Sequence, residues 1–104
     1  MYYILDSDNN PVPEPDAIKF GRWFRQCDRT VLRTVIGRSD GSNQDITATV
    51  STVFLGLNRN FAQKGPPVLW ETMVFGGPLN KEIERYTSYA AAVIGHEAMV
   101  KRCR

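Results

Sequence analysis

Two runs rich in apolar and β-branched residues occupy the middle of the chain and limit its fold more than any other feature. They cover residues 46–57 and 68–75, and a ten-residue loop with two prolines joins them. Consecutive strands joined by a loop of this length usually pair antiparallel. A third run of similar character, residues 29–36, precedes them and ends at Gly37. We therefore predict an antiparallel meander of three strands.

Side-chain alternation predicts the orientation of the 46–57 strand. Ile46, Val50 and Phe54 fall on one side, whereas the side chains at 47, 49 and 51 are hydroxylated and fall on the other. The first half should therefore have one wet face. Residues 53–57 are apolar on both sides, so we expect them to run beneath another element. The polar residues 38–45 are predicted to form a loop.

Two helices are predicted to flank these strands. Asp16 can cap a helix that runs to about residue 28, with three aromatic residues on one side and basic residues on the other. Thr87 is the predicted cap of a second helix over 88–101. Residues 2–5 form a short strand that can add a fourth to the sheet. The expected fold is a single α+β domain over 1–104, a small antiparallel sheet of three to four strands with two helices packed on it, in the order β-α-β-β-β-α.

The chain length and the cysteine content exclude several classes of protein. A chain of 104 residues can bury a core without disulfides or a structural metal. Cys27 and Cys103 lack partners at metal-ligand spacing, so we expect two free, largely buried thiols and neither metal nor cofactor. No apolar run approaches the roughly 20 residues of a membrane-spanning helix, and the acidic N-terminal segment is unlike a signal peptide. A soluble protein of a reducing compartment, without membrane partners, is expected.

The net charge of +2 is unevenly distributed. Residues 1–18 contain four acidic residues and no basic one, whereas residues 19–38 contain six basic residues and one acidic. A basic segment in a nearly neutral chain indicates an acidic partner surface or a phosphate-bearing ligand, and a merely solvated helix face is the alternative. The residues predicted to form this binding face are Lys19, Arg22, Arg25 and Arg29.

Distinctive motifs extend over almost the whole chain. They are Thr-Val-Phe-Leu-Gly-Leu at 52–57, Asn-Phe at 60–61, Pro-Pro-Val-Leu-Trp-Glu-Thr-Met-Val-Phe-Gly-Gly-Pro-Leu at 66–79, Glu-Arg-Tyr-Thr at 84–87 and Gly-His-Glu at 95–97. With these motifs the chain resembles a family of small, functionally uncharacterised proteins of tailed phages and prophages. The resemblance implies a location in the host bacterial cytoplasm, and it carries no assigned chemistry.

The chain departs from that family at two positions. Members usually have Asp-His where this chain has Asn58 and Arg59, so the resemblance supports no proton transfer or metal binding through that pair. The last helix of the family commonly begins with a capping box, in which Glu follows the capping Thr or Ser by three residues. Here the third residue after Thr87 is Ala90, and we expect a weaker helix start.

The candidate catalytic residues are His96, the only histidine, and Glu71. His96 could act as a general base oriented by Glu71, or it could be a hydrogen-bonded core residue. Glu71 interrupts an apolar strand, so it should either lie on a wet face or pair with a buried arginine or histidine. A separate group in the 58–67 loop could contact the phosphates and base of a nucleotide: Asn58, Arg59, Asn60 and Lys64.

Three classes of function are compatible with these features. The class that we predict is a non-enzymatic accessory protein that binds a host protein, such as a component of a bacterial immune system, through a sheet edge or the basic helix. A small oligomer that sequesters a nucleotide signal is a variant of it. The alternatives are nucleic-acid binding through the first helix and a small enzyme that uses His96 and Glu71. Exposed sheet edges also make a symmetric homodimer reasonable.

Overall fold

The computed structural model describes residues 1–37, 46–62 and 64–104, so the predicted 38–45 loop lies outside the described residues. The described residues form six strands and two helices. These are β1 (Tyr3–Leu5), β2 (Pro11–Pro13), α1 (Ala17–Gln26), β3 (Thr30–Gly37), β4 (Ile46–Phe54), β5 (Trp70–Phe75), β6 (Ile83–Tyr86) and α2 (Tyr89–Cys103).

The main sheet has the strand order β3-β4-β5-β6, and every neighbouring pair is antiparallel. This architecture confirms the predicted α+β class and the predicted meander. In the register of the sheet, Thr52 lies opposite Thr72, and Thr72 lies opposite Glu84. Inward-facing positions of the central strands therefore form rows that cross the sheet.

One face of the main sheet is covered by α2, which contacts all four strands. The core beneath this helix forms two apolar clusters on either side of a polar centre. One cluster contains Ile36, Ala48, Val50, Val74 and Met99, and the other contains Phe54, Leu69, Trp70 and Ala92. Val50 and Phe54 are fully buried, as alternation predicts. No described helix covers the opposite face, where Val35 and Phe75 are about half exposed.

The first helix closes the end of the sheet with its aromatic side. Asp16 caps it as predicted, because its carboxylate accepts hydrogen bonds from two backbone N–H groups of the first turn. Phe20 stacks on Tyr2 with ring centroids 4.4 Å apart, and Trp23 meets Phe54 edge to face at 5.8 Å. Gly56, at φ +77°, lies directly under the Phe20 ring. Residues 53–57 therefore run beneath α1, as their two-sided apolar character predicts.

The expectation that the first strand adds to the main sheet is wrong. The β1 strand pairs with β2 in a separate two-stranded sheet, and Pro11 and Pro13 sit at its ends. Its link to the main sheet is the hydrogen bond from the Tyr3 N–H to the Gly56 carbonyl, at 2.7 Å, beside the Tyr2–Leu57 bridge. The fourth strand is β6. Its four residues include Glu84 and Arg85, a charged composition typical of edge strands and difficult to recognise as a strand.

Two smaller expectations also need correction. Ser88, and not Thr87, caps α2, because the Ser88 hydroxyl accepts the Ala91 N–H at 3.1 Å. The capping box is absent from this position too, since the residue three places on is Ala91. Both cysteines are free, as predicted, but Cys27 is exposed at the end of α1. It lies just beyond the aromatic residues that reach the core.

Candidate functional site

A chain of hydrogen-bonded side chains crosses the main sheet beneath α2. The His96 ring lies at its centre and is 2% exposed. Its Nε2 is 2.8 Å from the Thr34 hydroxyl, and its Nδ1 is 2.7 Å from the Thr52 hydroxyl. Thr52 in turn is hydrogen-bonded to Thr72, and the Tyr86 hydroxyl oxygen lies 3.0 Å from the Thr72 hydroxyl. Each of the four strands therefore contributes one hydroxyl to this hydroxyl–imidazole chain.

The sheet register explains why these groups meet. Thr52 has the same side-chain direction as Val50 and Phe54, so its hydroxyl points toward α2. Thr72 is its direct partner on β5, and both residues are fully buried. Threonine suits the strand through its branched Cβ, but a buried hydroxyl needs a hydrogen-bond partner. His96, on the buried side of α2, supplies that partner.

The far end of the chain reaches the surface at β6. The Tyr86 hydroxyl also lies 3.4 Å from a carboxylate oxygen of Glu84. Glu84 forms an ion pair with Arg102 of α2, at 3.6 Å. The Tyr86 ring fills the space that a side chain at Gly95 would occupy, so this glycine in mid-helix lets α2 approach β6. This close approach holds the phenol beside Thr72.

Two orientations of the hydroxyl hydrogens satisfy the whole chain. In the first, Tyr86 donates to Thr72, each threonine passes the donation on to His96 Nδ1, and Nε2–H donates to Thr34. In the second, Thr34 donates to Nε2, Nδ1–H donates to Thr52, and the phenol donates to Glu84. The histidine tautomer therefore depends on which end of the chain holds the stronger acceptor.

Burial sets the protonation of the chain. Removal of the imidazole from water lowers the pKa of His96 below 6.5, against the opposing charge of the neighbouring Glu97. Burial raises the pKa of the Tyr86 phenol above 10.0. Both rings are consequently neutral at physiological pH, and His96 can both donate and accept.

The Thr34 end of the chain opens into a cleft between β3 and α2. Its volume is about 480 Å³. Leu32 and Val100 form apolar walls, and Lys101 and Arg104 place two cations beside the single carboxylate of Glu97. Among the described residues, those that line this cleft are Leu32, Thr34, His96, Glu97, Val100, Lys101 and Arg104.

Glu71 lies on the opposite face of the sheet from His96. It follows Trp70 and precedes Thr72, both of which point toward α2, so its own side chain points away. The Glu71 carboxylate accepts from the Arg85 guanidinium at 2.9 Å, on the face that α2 leaves open. The hypothesis that Glu71 orients His96 therefore fails on geometry. Glu71 lies on the face that no described helix covers, where its side chain is 16% exposed and pairs with the partly exposed Arg85, so it combines features of both alternatives.

The 58–67 loop uses its two asparagines to hold its own backbone. Asn58 accepts the N–H groups of Asn60 and Val68, at 2.8 and 2.9 Å. The Asn60 amide donates to the carbonyls of Lys64 and Pro66. Arg59 and Lys64 are exposed. A nucleotide bound here would meet these two cations, whereas the side-chain oxygen of Asn58 and the amide group of Asn60 are already engaged in hydrogen bonds.

The predicted basic face separates into two parts. Lys19, Arg22 and Arg25 are exposed on α1. Arg29 lies beyond the helix, where its guanidinium covers the Phe24 ring at 3.7 Å and donates to the Phe54 carbonyl at 3.3 Å. Arg29 is therefore a packing residue at the junction of α1 and the sheet.

Sequence reasoning missed the threonines of the chain. The signal was present for Thr52, whose parity matches Val50 and Phe54, and for Thr72 between buried Trp70 and Val74. Hydroxyl side chains at inward-facing positions of two successive strands indicate a hydrogen-bond partner from another element. His96, the only histidine, is the natural candidate.

Compared with models of protein families, with curated proteins and with solved structures, the chain matches none of them. Within the described ranges, no three His, Cys, Asp or Glu side chains are grouped as metal ligands would be. Over the same ranges, neither α1 nor α2 is long and apolar enough to span a bilayer.

Proposed function

We propose that the protein is a non-enzymatic binding protein that modulates a host factor by covering an acidic protein surface with α1. The observation that carries this proposal is Ile18, which is 75% exposed in the first turn of the helix. Arg22 and Arg25 follow on the same face at spacings of four and seven residues. An apolar side chain among arginines has the composition of a protein interface, where arginine is enriched and the centre is apolar.

The positive charge of this face is available to a partner. The ion pairs among the described residues involve Arg85 and Arg102, both remote in sequence from α1. Asp16 is occupied in capping the helix, and Asp6 accepts the N–H groups of its own turn. The acidic N-terminal segment therefore forms no ion pair with the α1 cations, and an acidic partner would face uncompensated charge.

A protein partner fits this face better than a nucleic acid. The helix has ten residues, so the face is about 15 Å long. It carries three cations, and an exposed isoleucine lies in the same first turn as Lys19. Phosphate contacts favour cations and polar groups, and Ile18 supplies neither. The resemblance to phage proteins is what suggests that the partner belongs to a bacterial host.

The test is site-specific photo-crosslinking in a bacterial lysate. A photoreactive phenylalanine derivative replaces Ile18 in one protein and Ile94 in the matched control, since Ile94 is 71% exposed on α2. We expect a protein adduct at position 18 alone, attached through a segment rich in Asp and Glu. The Arg22→Glu/Arg25→Glu variant should lose it, and Arg22→Lys/Arg25→Lys should largely keep it.

Three results would overturn the proposal. One is an adduct of equal yield from position 94. Another is a position-18 adduct that nuclease treatment removes, since it identifies a nucleic acid. The third is the absence of any position-18 adduct that depends on Arg22 and Arg25.

A further inference from the structure

We propose that the cleft between β3 and α2 binds a small molecule with an anionic group on an apolar body, and that binding sets the hydrogen-bond direction of the hydroxyl–imidazole chain. The cleft volume of about 480 Å³ falls within the range of small-molecule sites. This inference is independent of the α1 surface, which lies on another element.

The lining of the cleft indicates the chemistry of the ligand. Among the described residues that line the cleft, Lys101 and Arg104 outnumber Glu97, so this lining attracts negative charge. Leu32 and Val100 offer apolar contact to the remainder of the ligand. A compact carboxylate or phosphate with an aryl or acyl body has both features.

Thr34 connects the ligand to the chain. In the described structure the side-chain bond of its hydroxyl is the one to His96 Nε2. A hydroxyl can donate once and accept twice, so Thr34 retains capacity for a ligand atom in the cleft. A carboxylate or phosphate oxygen accepts strongly and would take the Thr34 hydrogen.

The hydrogen bond from Thr34 to the ligand fixes the direction of the other hydrogen bonds in the hydroxyl–imidazole chain. Once Thr34 donates to the ligand, its oxygen must accept from His96 Nε2–H, and Nδ1 must accept from Thr52. Thr52 then accepts from Thr72, and Thr72 accepts from Tyr86. The bound anion therefore selects the Nε2–H tautomer of His96. It also makes the Tyr86 hydroxyl donate to Thr72 and not to Glu84, although neither Tyr86 nor Glu84 lines the cleft.

The experiment reads the tautomer directly by NMR. His96 is the only histidine, so long-range ¹H–¹⁵N spectra of the untagged, ¹⁵N-labelled protein contain one imidazole. Phenyl phosphate is the main probe, titrated to about 10 mM, a range that covers weak small-ligand affinities. Inorganic phosphate lacks the apolar body, and benzyl alcohol lacks the charge.

We expect phenyl phosphate to move the ¹⁵N chemical shifts of the His96 ring toward those of the Nε2–H tautomer. Both control compounds should bind more weakly. Lys101→Ala/Arg104→Ala should weaken binding about tenfold, because two exposed cations are lost. Thr34→Val should abolish the tautomer change, whereas the matched Thr49→Val, on the opposite face of β4, should leave it intact.

Several outcomes would overturn the inference. A His96 spectrum unchanged by every probe removes the site. An equal response to benzyl alcohol identifies an apolar cleft with no anion preference. Unchanged affinity for phenyl phosphate in Lys101→Ala/Arg104→Ala would show that these cations do not bind the anion. A full tautomer change in Thr34→Val would show that the ligand does not act through Thr34.

Discussion

His96 lies in a buried position that favours the neutral ring. Both ring nitrogens are hydrogen-bonded to threonine hydroxyls, which can accept from an N–H group as well as donate to a bare nitrogen. Protonation would therefore keep these bonds but would place a charged imidazolium away from water, so burial requires a neutral ring in the folded state. This requirement links the stability of the fold to pH.

We predict that the free energy of unfolding falls as the pH drops below about 6.5. The unfolded chain has an ordinary imidazole pKa of 6.5, and burial lowers the pKa of His96 in the folded state. Below 6.5 the unfolded state therefore binds a proton that the folded state does not, and stability declines until the folded pKa is reached. Urea unfolding at several pH values measures this slope, which is at most about 1.4 kcal/mol per pH unit.

The His96→Gln variant is the control, because glutamine keeps hydrogen-bonding groups but does not titrate. Its stability should depend less on pH between about 5 and 7 than that of the parent protein. Charged neighbours such as Glu97, Lys101 and Arg104 are unchanged in the variant, so their contributions cancel in the comparison. Parallel pH profiles would contradict the prediction.

Two helix glycines in this chain have opposite roles. A Cβ at Gly95 in α2 would overlap the Tyr86 ring, whereas a Cβ at Gly21 in α1 would have nothing within 4 Å. Glycine in a helix interior costs about 1 kcal/mol relative to alanine. At Gly95 the missing side chain makes room for the Tyr86 ring, whereas at Gly21 no neighbouring group needs that room.

We predict that Gly21→Ala stabilises the protein by up to about 1 kcal/mol, whereas Gly95→Ala destabilises it by about 1–3 kcal/mol, since a crowded core resists added methyl groups. Thermal and urea unfolding of both variants provide the measurement. The double variant Gly95→Ala/Tyr86→Ala should be less destabilised than the sum of its single changes, because Tyr86→Ala removes the ring that the new methyl group would overlap. Simple additivity would show that the ring and the helix do not touch.

At the level of elements, the sequence predicted the structure wherever the pattern was long. The runs that become β3, β4 and β5 were recognised, as were α1, with its Asp16 cap, and α2. The sequence did not predict β2 or β6. The prolines of β2 and the charged residues of β6 are residue types that are uncommon in strands. The sequence could not show whether His96 and Glu71 are in contact, because this depends on which face of the sheet is covered by α2.

At the scale of the whole molecule, the described residues form a core, made of the four-stranded sheet and α2, and an N-terminal segment attached at its end. The segment over residues 1–26 holds to the core through the Trp23–Phe54 ring contact, the Phe20 ring against Gly56 and the Tyr3–Gly56 backbone bond. Its two strands have three residues each, whereas β4 and β5 are hydrogen-bonded on both sides. Local stability should therefore differ between the two parts.

We predict that hydrogen exchange is slowest in β4 and β5 and fastest in β1 and β2, with α1 between them. Gly56→Ala should accelerate exchange in residues 1–26 more than in the core, because it presses on Phe20 and strains a backbone at φ +77°. Exchange mass spectrometry resolves these segments. Uniform acceleration over the whole chain would show that the segment and the core unfold as one cooperative unit.

The tyrosine seated against Gly95 also limits how the molecule can change shape. A helix that lies over a flat sheet can slide along it, but here a ring projects from β6 into a gap in the helix surface. Sliding α2 by one residue would bring the side chain of a neighbouring residue, Ile94 or His96, against that ring. The contact between Tyr86 and Gly95 therefore fixes the register of α2 on the sheet at the edge opposite the cleft.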